Sequence, residues 1–142
     1  MIKMSTDFLK LLGKMDRITA AAKKHTRPAA QAGAQVYQDE AQTRAPVSAK
    51  PHSTKGKKQT FQPGNFRNAI YQAHMKEESG EGVDKYRVGW NKKKAFYGGF
   101  LERGTSKMAA KPTIRPTYDA VKDVAEATAL RTLQQGIARE MK

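Results

Sequence analysis

Residues Thr26 to Pro46 read TRPAAQAGAQVYQDEAQTRAP, a stretch opened and closed by proline. Between the prolines Ala30, Ala34, Tyr37 and Ala41 recur at helical spacing, so one face of the helix is lined mostly by small side chains. A face so thin permits close approach of another helix, from the same chain or from a neighbour. Proline is tolerated in a helix's first turn, so Pro28 either restarts a second helix or kinks the one before it, and the helix ends before Pro46.

Upstream, Phe8, Leu11, Leu12, Met15, Ile18 and Ala22 recur at three- and four-residue steps, the pattern of an amphipathic helix. Its polar face is mixed rather than purely basic, which favours packing on the chain's own core over lying on a membrane. Downstream, residues 47–65 turn to Lys, Ser, Thr, Pro, Gln and Gly, and KPHSTKGKKQT has no apolar period. A compact domain seldom keeps so long a structureless connection, so this segment reads as a mobile basic loop or an arm that orders against a partner.

FRNAIYQAHMKEE and DKYRVGWNK flank the turn-rich SGEGV, and Tyr86, Val88 and Trp90 alternate with Arg87, Gly89 and Asn91. Both runs read as strands, with the aromatic and β-branched face packed on a helix. Pro116 is a first-turn proline for a last helix whose Val121, Val124, Thr128, Leu133, Ile137 and Met141 fall near helical spacing. The expectation is one α+β domain over residues 1–142, in which long N-terminal helices and a C-terminal helix pack on a small antiparallel sheet with a long extended loop. Residues 1–45 form its helical part, 47–65 the arm, and 66–142 the strands, a connector loop and the last helix.

The chain carries 27 Lys and Arg against 13 Asp and Glu, a net charge of +14, which suits an anionic partner: nucleic acid, a membrane surface or an acidic protein face. The excess is spread along the chain, with 12 bases and 4 acids before residue 61 and 15 bases and 9 acids after it, so no separate basic tail is implied. With no cysteine, disulfides and thiolate chemistry are excluded, in keeping with synthesis in a reducing compartment. The start of the chain has no continuous apolar run of signal-peptide or membrane-span length.

No catalytic constellation is legible. His25, His52 and His74 are isolated, without metal-ligand spacing. Gly80 and Gly82 lack the third glycine of a dinucleotide loop, no G-K-[ST] phosphate loop occurs, and no nucleophile has a base and acid beside it. The chain reads as a non-enzyme without cofactor or metal. Two lysine clusters, Lys55, Lys57 and Lys58, and Lys92, Lys93 and Lys94, are candidates for partner or DNA contacts, the second having Trp90, Phe96 and Tyr97 close by.

The segment YGGFLERGTSKMAAKPTIRPTYDA, Tyr97 to Ala120, resembles the signature of the neck or tail-completion proteins that join head to tail in long-tailed bacteriophages. The pattern is an aromatic, small or apolar residues, an acid, Gly-Thr, a spacer and a Pro-x-x-Arg-Pro-like run. Here those positions are Tyr97, Glu102, Gly104, Thr105, Pro112, Arg115 and Pro116. TRAPV at Thr43 to Val47, PGNFRNAI at Pro63 to Ile70 and YRVGW at Tyr86 to Trp90 are similar to further pieces of the family, in the same order. Phe66 stands where leucine is usual, Ala69 where serine is usual, and the lysine-rich insert before Pro63 is long.

The resemblance implies a virion structural protein made in the bacterial host cytoplasm. It implies a homo-oligomeric ring of six or twelve copies at the head-tail junction, touching adjacent connector, stopper or tail proteins and the DNA in the channel, with no membrane partner. In the connector, Gly104 is placed to take a positive φ, Thr105 to bond local backbone, and Glu102 to pair with Arg115 or with backbone amides. Pro112 and Pro116 stiffen the run into the last helix.

Overall fold

The computed structural model describes residues 5–54, 56 and 58–142 and has an α+β architecture. Helix α1 spans Thr6–Arg44 and α4 spans Ile114–Glu140. Between them lie β1 (His52–Ser53), β2 (Thr60–Phe61), α2 (Asn65–Ala69), β3 (Ile70–His74), β4 (Tyr86–Trp90) and α3 (Gly98–Arg103).

Helix α1 begins where the Ser5 side chain accepts the Phe8 amide at 3.2 Å, with Asp7 in the first turn facing the positive end of the helix dipole. It runs through Pro28 as one helix of 39 residues, forgoing a single main-chain bond there rather than restarting. It stops at Ala45, whose extended ψ of 127° is what the following Pro46 demands.

Helices α1 and α4 pack antiparallel, their contacts running from His25 and Gly136 through Gly33 and Ala125 to Tyr37 and Tyr118. The seam is built from small residues: Gly33 on α1 lies against Ala125 and Ala129 on α4, and Gly136 on α4 lies against His25 on α1. Ala21, Ala29 and Ala34 on α1 and Thr117 on α4 are buried as well. A Cβ on Gly33 would lie 3.3 Å from the Ala125 carbonyl, so close approach of the backbones depends on its absence. The expected apolar face of α4 is accordingly shifted: Val124 is exposed, and Ala125 beside it takes the buried place. At the far end Glu140 accepts from Lys24 at 2.8 Å and lies 3.3 Å from His25. The hydrogen bond from Lys24, then that from His25, holds the Glu140 carboxyl below its usual range.

Strands β3 and β4 pair antiparallel from Ile70 opposite Trp90 to His74 opposite Tyr86. The first of the two runs read as strands is extended only from Ile70; Gly64, at φ 83°, turns the chain into the short helix α2, where Asn68 donates to the Gly64 carbonyl. One sheet face lies on α1, with Gln72 donating to Gln35 at 2.6 Å and Asp84 accepting from both Thr26 and His74. Val88 and Trp90 pack against the buried cluster of Ala41, Ala45, Phe66, Ala69, Ile70 and Ala95, as their alternation predicts.

Two expectations change. Residues 47–65 carry a short antiparallel hairpin, with His52 opposite Phe61 and Ser53 opposite Thr60, and Phe61 is buried. The Lys-rich composition hid this because the ladder is only two residues long on each side. The apolar stripe of the first turns of α1 does not pack on the core: every residue from Ser5 to Ala20 is exposed. The reason is that α4 ends at Glu140 opposite Lys24, and among the described residues no other element packs alongside. Roughly 22 Å of helix therefore projects past its partner, at 1.5 Å per residue.

Candidate functional site

The connector begins at α3. A Cβ on Gly98 would overlap the Trp90 indole, so this glycine lets α3 close onto the sheet. The helix ends at Gly104, which takes φ 78° and caps it through its amide to the Phe100 carbonyl at 2.7 Å. Any Cβ at Gly104 would also meet the Ala110 backbone nitrogen at 2.8 Å. Thr105 donates its amide to Met108 at 2.8 Å and accepts from the Lys107 amide on its hydroxyl. The Lys111 amide donates back to Leu101 at 2.7 Å, closing the loop on α3.

Glu102 then fastens this loop to α4. Its carboxylate accepts the main-chain amides of Thr113 at 2.7 Å, Ile114 at 3.0 Å and Arg115 at 3.2 Å. These are among the amides that a helix's first turn leaves without internal partners, and a negative charge there also meets the positive end of the helix dipole. Of the two partners foreseen for Glu102, the structure selects the backbone; Arg115 is met through its amide, with its side chain exposed. Pro112 is exposed, and Pro116 sits half-buried in the first turn of α4.

Tyr97 gathers the hairpin and α2 around the connector. Its ring lies 5.2 Å from His52, 5.1 Å from Phe61, 6.3 Å from Phe66 and 5.8 Å from Phe96, centroid to centroid. Asn65 donates to the Tyr97 hydroxyl at 3.0 Å and to the Lys94 carbonyl at 2.8 Å. Between the hairpin, α3 and the Thr105–Met108 turn opens an apolar cleft of about 530 Å³ whose walls include Val47, Phe61, Phe96, Phe100, Leu101 and Met108.

Lys92, Lys93 and Lys94 are all exposed on the turn after β4, and Lys92 and Lys93 border a second cleft with Tyr71 and Arg87. Lys58 is exposed in the hairpin loop, while Lys55 and Lys57 lie outside the described residues. His25 pairs with Glu140, His74 with Asp84, and His52 packs tilted against Phe61 and edge-on to Tyr97. Among the described residues no three His, Asp or Glu side chains converge as a metal site would require.

The arrangement is one of supports and surfaces: a pinned connector, an aromatic cluster and an open apolar cleft. Residues 9–104 match a family model described as "Bacteriophage HK97-gp10, putative tail-component". The chain belongs to this HK97-gp10-like family. The matched span takes in α1 from Leu9, the hairpin, the sheet and α3 and stops at Gly104, so Phe8 at one end and Thr105, Pro112, Arg115 and Pro116 at the other lie beyond it. No curated protein and no solved structure matches the chain. For this HK97-gp10-like chain no described helix is long and apolar enough to cross a membrane.

The cleft and the projecting stripe of α1 are the surfaces that site reasoning from sequence missed. The stripe's spacing was plain, but not the end of its partner helix. The cleft's aromatics come from two separate segments, Phe61 and Phe66 on one side and Phe96, Tyr97 and Phe100 on the other, and only the fold brings these together.

Proposed function

We propose that this protein is a structural component of the phage virion, a neck or tail-completion subunit that forms a homo-oligomeric ring joining head to tail around the DNA channel. It acts by binding, not by chemistry. The observation that carries the reading is the family match over α1, the sheet and α3, joined to the neck-type motif that continues through Pro116. The pinned connector supports it, because a ring subunit must hold its interfaces in one shape: Glu102 tethers α4, and Gly104 and Pro112 fix the path between.

A ring of six copies fits the symmetry of a tail, and twelve is the alternative. Its neighbours are copies of itself and the adjacent connector, stopper or tail proteins. With a net charge of +14, the exposed Lys92, Lys93 and Lys94 and the Lys55–Lys58 segment face either acidic surfaces of those rings or the DNA phosphates, without sequence readout. The test is genetic and biochemical together. Phage lacking this chain should accumulate filled heads and separate tails, and purified chain should restore joined particles in the mixed lysate. Normal particles without it would refute the reading, and strong salt-dependent DNA binding by a monomer would favour a small non-specific nucleic-acid-binding protein instead.

A further inference from the structure

Among the described residues, two apolar surfaces of complementary form stand open, a ridge and a cleft, near opposite ends of α1. The ridge is the overhang of α1, where Phe8, Leu9, Leu11 and Met15 are each about half exposed and Leu12 and Ile18 are 38% exposed. A stripe of that size reaches the few hundred Å² that isolated monomers seldom exceed without a partner. The cleft is the apolar opening of about 530 Å³ beside the connector, where Val47, Phe96 and Phe100 are 47%, 52% and 51% exposed. From the geometry of these two surfaces we infer that the overhang of one copy seats its Phe8–Leu12–Met15 stripe in the cleft of the next copy.

Three observations choose a second copy as the occupant. The cleft borders Pro46 and Val47, just past the end of α1, whereas the stripe sits near its start. At 1.5 Å per residue an intact α1 holds the two roughly 40–55 Å apart, so a chain cannot fill its own cleft. The second observation is charge. Copies carrying +14 each repel through most of their surface, but residues 5–20 hold only Lys10, Lys14 and Arg17 against Asp7 and Asp16, and the cleft's described lining has Lys111 as its one charged side chain. An acidic partner would gain more on the lysine faces; a like-charged copy loses least here. The third is shape, a convex helical ridge against a concave groove, the form in which amphipathic helices are received.

Because the two patches differ, the contact is heterologous, and such contacts generate rings when the rotation closes. The inference therefore rests on the ring proposed above and supplies its joint.

The test uses the full chain and native mass measurement across a concentration series. Phe8→Asp/Leu12→Asp removes the ridge and Phe100→Asp blocks the cleft; circular dichroism checks that each still folds, and all three positions are solvent-exposed. Wild type should form a discrete oligomer and each variant should fall to monomer. Mixing the two variants should give a 1:1 dimer and nothing larger, since one good ridge and one good cleft remain. As an independent readout, the chain has no cysteine, so Leu12→Cys with Phe100→Cys in one chain should give intermolecular disulfide ladders, and Leu12→Cys alone should not. Disulfide dimers from Leu12→Cys alone would mean that overhangs pair with each other and would overturn the joint. An oligomer that survives both sets of aspartates overturns the joint while leaving the ring intact; wild type that stays monomeric throughout overturns both.

Discussion

The two halves of α1 invert the usual expectation about apolar residues. Its first half carries Phe8, Leu9, Leu11, Leu12, Met15 and Ile18 and leaves them in solvent; its second half carries Ala29, Gly33, Ala34 and Ala41 and buries them. Hydrophobicity alone does not decide burial along this helix. What decides it is whether α4 or the sheet runs alongside, and the pairing with α4 at Gly33 favours side chains small enough for the backbones to meet. The large residues mark where the partner within the chain is missing.

The contrast is broken most sharply by filling the seam. Gly33→Leu should cost about 3 kcal/mol in urea unfolding, at the upper end of overpacking penalties, because even a Cβ there would stand 3.3 Å from the Ala125 backbone oxygen and the rest of the side chain would have to fit beyond it. Leu12→Gln on the overhang should change monomer stability by less than about 0.5 kcal/mol, as an exposed substitution does, despite removing a larger apolar group. Equal effects at the two positions would mean that the overhang packs within its own chain after all.

A smaller effect is expected at the connector, the second place where α4 is held. Glu102→Ala should cost about 1–2 kcal/mol, the range for losing a helix cap, read from the denaturation midpoint. Arg115→Ala should cost less than about 0.5 kcal/mol, since only the Arg115 amide meets Glu102. Charge reversal at both positions should rescue nothing; rescue would restore the side-chain pair in place of the backbone cap.

The mildest change concerns the sheet's hold on the paired half of α1. The Thr26 hydroxyl, and less strongly His74, keeps the Asp84 carboxyl below its usual range against the opposing effect of burial. A carboxyl depressed in the folded chain adds stability above the ordinary carboxylate range, lost as pH falls through its folded value. Urea midpoints followed from about pH 5 down to pH 2 should therefore fall more steeply in wild type than in Asp84→Asn. Parallel curves would show that the bond to Thr26 carries no proton-linked stability.

Much of this fold is legible in the sequence. The small-residue face of Thr26 to Pro46 announces a helix against a helix, the alternation of Tyr86, Val88 and Trp90 gives the strand and its buried side, and Gly104 takes the positive φ that its place after LER requires. What stays hidden is where partners end. Nothing local to Phe8 or Met15 says that α4 stops opposite Lys24, and nothing local to Lys58 says that Phe61 is pulled in by Tyr97. The seam of α4 is hidden for a related reason: periodicity weighs Val124 above Ala125, whereas the close approach admits only the alanine. In the candidate site, Glu102 was visible as the lone acid of the connector, but its partners are backbone amides that no residue type encodes.

The most direct test is amide hydrogen exchange across α1, measured in the isolated subunit and in the assembled particle. In the subunit, residues 21–44 should be protected and residues 6–20 should exchange rapidly, as a lone helical overhang frays. In the particle, protection should spread through Phe8 to Ile18 and appear together with protection of the Phe96–Met108 segment. Rapid exchange of the overhang in both states would contradict the claim that these apolar residues await a second copy.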